Sequence, residues 1–219
     1  MADSFEEGVM TVEAPTEALT GWDVAPRRWP RLLVAGGAAL TALALVLIPP
    51  DATLGGNIRA VFFHGAVTWT GIILAAISGL VGIGSLVSRR DTRLVWRLYS
   101  LATLCWVLSL SMSFPVMRMT WGGVLWNEPK LLMTAEVVSV FLLGWAIALF
   151  SGRTRVAVIV AVVAFVIMAV LLAVTPAAFH PDNPIFRSGN LRFIGTFLAV
   201  LVGLLAVAAG IAAWPRRSR

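Results

Sequence analysis

The sequence predicts an all-α integral membrane protein with six transmembrane helices and both termini in the cytoplasm. Three observations carry this. Of its 219 residues, 59% are apolar and 13% charged, against about 45–50% and 25% in a soluble domain. Six apolar segments approach or exceed the roughly 20 residues that a helix needs to cross a hydrocarbon core of about 30 Å. Finally, the arginines collect in alternate connections, as expected where Lys and Arg stay on the cytoplasmic side.

In chain order, residues 1–28 come first. Asp3, Glu6, Glu7, Glu13, Glu17 and Asp23 precede any basic residue there, so the stretch reads as an acidic disordered cytoplasmic tail. A secretory signal starts basic, and the first span is therefore expected to be retained. Residues 29–215 form the membrane domain, with spans expected at Leu32–Ile48, Ala60–Val87, Leu94–Met117, Leu131–Phe150, Val156–Ala177 and Leu191–Trp214. Pro49, Pro50, Pro176 and Pro215 punctuate the ends, and Pro115 predicts a kink or an early stop in the third span. The second span exceeds the need, which predicts tilt or a start above the membrane surface. Residues 216–219 make a basic cytoplasmic tail.

Charge sets the expected direction. Arg27, Arg28, Arg31, Arg89, Arg90, Arg93, Arg97, Arg153, Arg155, Arg216, Arg217 and Arg219 fall on one side, and only Arg59, Arg118, Lys130, Arg187 and Arg192 on the other. The first side is then cytoplasmic. The net charge of +6 follows from this topology, so the lipid bilayer is an expected partner and nucleic acid is not. The single cysteine, Cys105, excludes an internal disulfide, and no Cys-x-x-Cys-His occurs for thioether attachment of haem. No phosphate-binding loop or nucleophile elbow is present, which leaves ATP chemistry and acyl transfer without support.

Both histidines, His64 and His180, are expected at the extracytoplasmic face. A pair of imidazoles is what an iron tetrapyrrole needs for axial ligation, although a lone interfacial histidine is as well explained by a hydrogen bond to a neighbouring helix. His64 follows Phe62 and Phe63 and precedes Trp69, and His180 lies in the polar stretch Phe179-His180-Pro181-Asp182-Asn183-Pro184. Arg187 and Arg192 suit the paired hydrogen bonds of propionates and equally suit interfacial anchoring. Between the third and fourth spans runs Met119-Thr120-Trp121-Gly122-Gly123-Val124-Leu125-Trp126-Asn127-Glu128-Pro129-Lys130. Its glycines free the backbone, and Trp121 and Trp126 offer faces for a planar ligand or, equally, interfacial anchors. Glu136, inside the fourth span, is expected to face the bundle interior, because an unpaired carboxylate in hydrocarbon is costly.

At these residues the chain resembles the haem-handling membrane proteins of cytochrome c biogenesis, most closely the cytochrome c maturation protein C (haem exporter protein C) type. Arg59, His64 and Trp69 fit that family's Arg-x4-His-x4-Trp, and Trp121-Gly122 matches the start of its Trp-Gly-x-x-Trp-x-Trp-Asp loop. Glu128 stands where the family has Asp, and Lys130 falls on a basic position. The chain departs from the pattern at Val124, Leu125 and Asn127, which replace aromatics, at Trp126, displaced by one, and at Ala66, where His-x-Pro is usual. Near the second histidine, Phe186 aligns with the ligand position and His180 lies six residues earlier. The resemblance spans roughly Arg59 to Gly195.

The resemblance implies non-covalent haem b, ligated by His64 and His180 and bounded by Trp69, Trp121, Gly122, Trp126, Glu128 and Arg187. It implies presentation or transfer of haem at the outer face of the cytoplasmic (inner) membrane for c-type cytochrome assembly. The chain itself would not be an enzyme. Its expected partners are an extracytoplasmic haem chaperone and the ATP-binding-cassette transporter subunits of the same maturation system. Two other readings stay open: a cytochrome b-like electron-transfer subunit, and a haem-free small-solute transporter or structural subunit.

Overall fold

The computed structural model describes residues 28–88, 92–176 and 184–214. Seven helices follow in order: α1 (Trp29–Leu47), α2 (Ile58–Ser88), α3 (Thr92–Trp121), α4 (Pro129–Ser151), α5 (Thr154–Val174), the short α6 (Pro184–Arg187) and α7 (Leu191–Ala212). All but α6 are long and apolar enough to cross a membrane. The chain is thus an all-helical, multi-pass membrane protein. The expected tails and His180 lie outside the described residues.

Alternating helix direction gives the bundle two ends. At one, α1 finishes, α2 starts, α3 finishes, α4 starts, α5 finishes and α7 starts, which gathers His64, the Trp121 loop and Arg187. The other carries Arg31, Arg93, Arg97, Arg153 and Arg155. Helix α2 is central and packs on α1, α3, α5 and α7. With 31 residues it exceeds a ~30 Å hydrocarbon core by roughly 16 Å, so it tilts or projects.

The apolar interior has two parts. The larger joins α2, α3, α4 and α5 around Leu74, Val95, Tyr99, Trp106, Val137, Phe141 and Met168. The smaller lies at the His64 end, where Ile48 just after α1, Phe62 and Ala66 of α2 and Phe197 and Val200 of α7 meet. Small residues let backbones approach in a membrane, where lipid is as apolar as any side chain. Between α1 and α7 a Cβ at Gly37 would come within 2.5 Å of the Gly203 carbonyl oxygen.

Several expectations are corrected. Helix α3 continues past Met117 to Trp121, with Pro115 inside it rather than at an early stop. Proline costs the Ser111 carbonyl one intrahelical bond and crowds it, and membrane helices tolerate this where neighbours re-satisfy the backbone. Helix α5 stops at Val174, with the Thr175 N–H closing on Leu171 O at 3.1 Å, before Pro176 can intervene. The polar connection before α7 contains a helical turn, α6. Glu136 is exposed: the buried stripe of α4 runs through Thr134, Val137, Val138, Phe141, Gly144 and Ala148, and position 136 points away from it. The buried acid is Glu128, which is fully enclosed.

Candidate functional site

His64 lies six residues into α2, roughly 9 Å along its axis, about where a centred α2 enters the hydrocarbon. Phe62 and Ala66, two residues to either side, point the opposite way. Phe62 is buried and meets Phe193 and Phe197 of α7 edge-on, with centroids 5.7 and 6.0 Å apart. Phe186 of α6 meets Phe197 in the same manner at 5.8 Å. This aromatic cluster locks one face of α2 against α7 and turns His64, which is half-buried, to the other.

Hydroxyls fix the neighbouring α2–α3 seam. Thr68, one turn beyond His64, donates to the His64 carbonyl at 2.9 Å and shares a hydrogen bond of 2.6 Å with the Ser109 hydroxyl. Deeper in the seam, Ser78 donates to Val95 O at 3.2 Å. In this antiparallel register a further turn sets Ser113, buried and bonded to Ser109 O at 3.0 Å, level with His64. The polar line His64, Thr68, Ser109 and Ser113 therefore runs down the seam from the bundle end.

The Trp121 loop lies at the same end. Gly122 ends α3 with φ of +75° while its N–H donates to Arg118 O at 3.1 Å, a left-handed cap that favours glycine. The chain then returns, and Trp126 reaches Phe114 with centroids 5.8 Å apart. Phe114 adjoins Ser113, so Trp126 is brought back toward the level of His64. Trp121 is 38% exposed and Trp126 67%; both present open aromatic surface. Glu128 follows, buried, with its N–H on Leu125 O at 3.1 Å and its carbonyl accepting from Leu131 and Leu132. Lys130 donates to Thr175 O at 3.3 Å, tying the start of α4 to the end of α5.

The remaining expected residues are less close. Trp69 is exposed and lies about 140° around α2 from His64, so the two cannot share one face of a ligand through this helix alone. Arg187 is exposed on α6. Phe186, at the family's second ligand position, is engaged with Phe197. Asn190 caps α7, accepting from the N–H groups of Arg192 and Phe193 at 3.0 and 3.3 Å. Sequence reasoning missed Phe114 and the Thr68–Ser109 pair. The spacing of Thr68, four residues after His64, was the available signal, since such residues share a helix face.

A planar tetrapyrrole needs an axial nitrogen beside an apolar surface. The half-buried His64 and the exposed rings of Trp121 and Trp126 lie at one end of the bundle. Among the described residues no group of three or more His, Cys, Asp or Glu side chains could hold a metal ion. No known protein family and no curated protein matches this chain.

Proposed function

We propose that the protein binds haem b non-covalently at the His64 end and presents or transfers it for c-type cytochrome assembly. The observation that carries this reading is that half-buried His64, turned away from α7 by the Phe62 cluster, lies at the same end of the bundle as the Trp121-Gly122 loop and its exposed indoles. The arginine distribution directs this end to the extracytoplasmic side of the cytoplasmic membrane.

In this reading His64, with His180 from the same connection as Arg187, would hold the iron of a bound haem, and the group would supply a redox-active iron whose potential those ligands tune. The indoles of Trp121 and Trp126 hold the macrocycle by stacking and dispersion, and Gly122 lets the loop turn over it. Arg187 and Arg192 answer the propionates. The exposure of both indoles suits a cargo that is handed on to a haem chaperone, with the ATP-binding-cassette subunits of the maturation system as further partners. The site belongs to carriage, and the covalent chemistry falls to other proteins.

Purification of the full chain from haem-replete cells tests this. A Soret band is expected, together with loss of most bound haem in the Trp121→Ala/Trp126→Ala double variant and transfer to an apo haem chaperone. Absence of haem under excess supply would favour a solute transporter or structural subunit, and rapid reduction by quinol would favour a cytochrome b-like subunit.

A further inference from the structure

The opposite end of the bundle holds a second feature, unrelated to the histidines. A cavity of about 330 Å³ opens between α3 and α7, lined by Trp96, Arg97, Ser100, Leu101, Ile211, Ala212 and Trp214. We infer that it is a binding site for the headgroup of an anionic phospholipid.

Its position and chemistry argue for that occupant. The lining comes from the first three turns of α3, the last turn of α7 and Trp214 just beyond it, near the level at which headgroups meet a spanning helix. Ile211 and Trp214 are exposed, and Leu101 and Ile211 offer apolar contact to the upper part of an acyl chain. Arg97 is half-buried and gives one hydrogen bond, to Ala212 O at 2.6 Å. A guanidinium carries five N–H donors, so this bond leaves donors for a ligand. No carboxylate is among the described lining residues. Arg31 of α1 lies over the Trp214 ring, 5.7 Å from its centroid, and adds a second positive charge at the rim.

Indoles complete the site. Trp96 stacks on Trp145 at 6.1 Å, and Trp145 Nε1 donates to the Ser100 hydroxyl at 3.3 Å, which leaves that hydroxyl's own proton to donate. Basic pockets between spanning helices, edged by amphipathic aromatics, suit acidic headgroups. Arg, with its planar fork, is the side chain that pairs two N–H groups with two phosphate oxygens.

The test uses the full chain in a neutral detergent, with native mass spectrometry reading bound lipid during titration with dioleoylphosphatidylglycerol or dioleoylphosphatidylcholine. Wild type is expected to bind the anionic lipid about tenfold more tightly, the order of one charge-assisted contact, and Arg97→Gln to lose that preference. Because Arg97 also braces α7, Ile211→Trp provides a second variant: it fills the mouth of the cavity, leaves Arg97 in place, and is expected to lower phosphatidylglycerol binding to a similar degree. Circular dichroism checks that both variants are folded. Equal binding of the two lipids by wild type, or undiminished phosphatidylglycerol binding by folded Ile211→Trp, overturns the proposal. So does displacement of the lipid by millimolar inorganic phosphate, which would make the site one for free phosphate.

Discussion

Gly144→Ala probes how closely α3, α4 and α5 are fitted. A Cβ at Gly144 would lie 2.5 Å from both the Tyr99 hydroxyl oxygen and Val160 Cγ1. Heavy atoms rest at about 3.5–4.0 Å, so roughly 1 Å of displacement is forced on each neighbour. Tyr99, the one tyrosine of the sequence, is fully buried, stacks on Phe141 at 5.3 Å and donates to Phe141 O at 2.8 Å. Overpacking costs about 1–3 kcal/mol, and a lost interhelical hydrogen bond in a membrane averages about 0.6 and reaches about 1.7 kcal/mol. Gly144→Ala is therefore expected to destabilise the bundle by about 2–4 kcal/mol. Tyr99→Phe alone removes only the hydrogen bond, about 1 kcal/mol. In the double variant the hydroxyl is gone and the next ring atom, Tyr99 Cζ, stands 3.6 Å from the new methyl, an ordinary contact. Its cost should fall below the sum of the single variants by about 1 kcal/mol, well outside the additivity of independent sites. Equilibrium unfolding of the full chain in mixed micelles, followed by circular dichroism, reads all three values. Wild-type stability in Gly144→Ala, or additive costs, would refute the packing argument.

Three further outcomes are expected. Gly122→Ala places an L side chain at φ +75°, which costs roughly 1–2 kcal/mol. It should loosen the Trp126–Phe114 contact, visible as a changed tryptophan emission spectrum and weaker haem binding. Thr68→Val removes the hydroxyl pair with Ser109 at a cost of about 0.6 kcal/mol, and should shift the absorbance of bound haem more than the equally polar-to-apolar change Ser139→Ala, on the exposed side of α4. Asp51 accepts from the N–H groups of Thr53 and Leu54 at 2.8 and 2.9 Å, and these bonds, Leu54's foremost, hold its carboxyl below the ordinary 3.8. A folded value below the unfolded one means that the stabilisation is complete above about pH 4 and is lost as pH falls through the folded value. Amide exchange at Thr53 and Leu54 should accelerate across that acidic window, and Asp51→Ala should abolish the transition.

Hydropathy located all six spanning helices, because a long apolar run has no other low-cost place in a bilayer. Their ends were less legible. Pro115 reads locally as a kink or a stop, yet α3 continues past it to Trp121. Glu136, expected to face the interior, is exposed, and Glu128 is the enclosed acid: the expense of burying an acid is visible in sequence, but which acid is buried depends on the angle of the α4 stripe and on how the Trp121 loop returns. His64 was identifiable as a candidate from its own flanks. What holds it, Phe62 against Phe193 and Phe197 and Thr68 against Ser109, joins residues more than 40 positions apart and depends on helix register that no local pattern encodes. Trp69 looked like a neighbour by spacing and is carried to another face by the helical rotation.

Haem titration of the purified full chain and its His64→Ala variant tests the central claim most directly. Wild type is expected to bind one haem with a sharp Soret band. The variant is expected to show a shifted band and to lose more affinity than the roughly 10–100-fold typical when a residue that only orients a ligand is removed. A His64→Ala protein with the spectrum and affinity of wild type would contradict axial ligation by His64 and, with it, the proposed haem site.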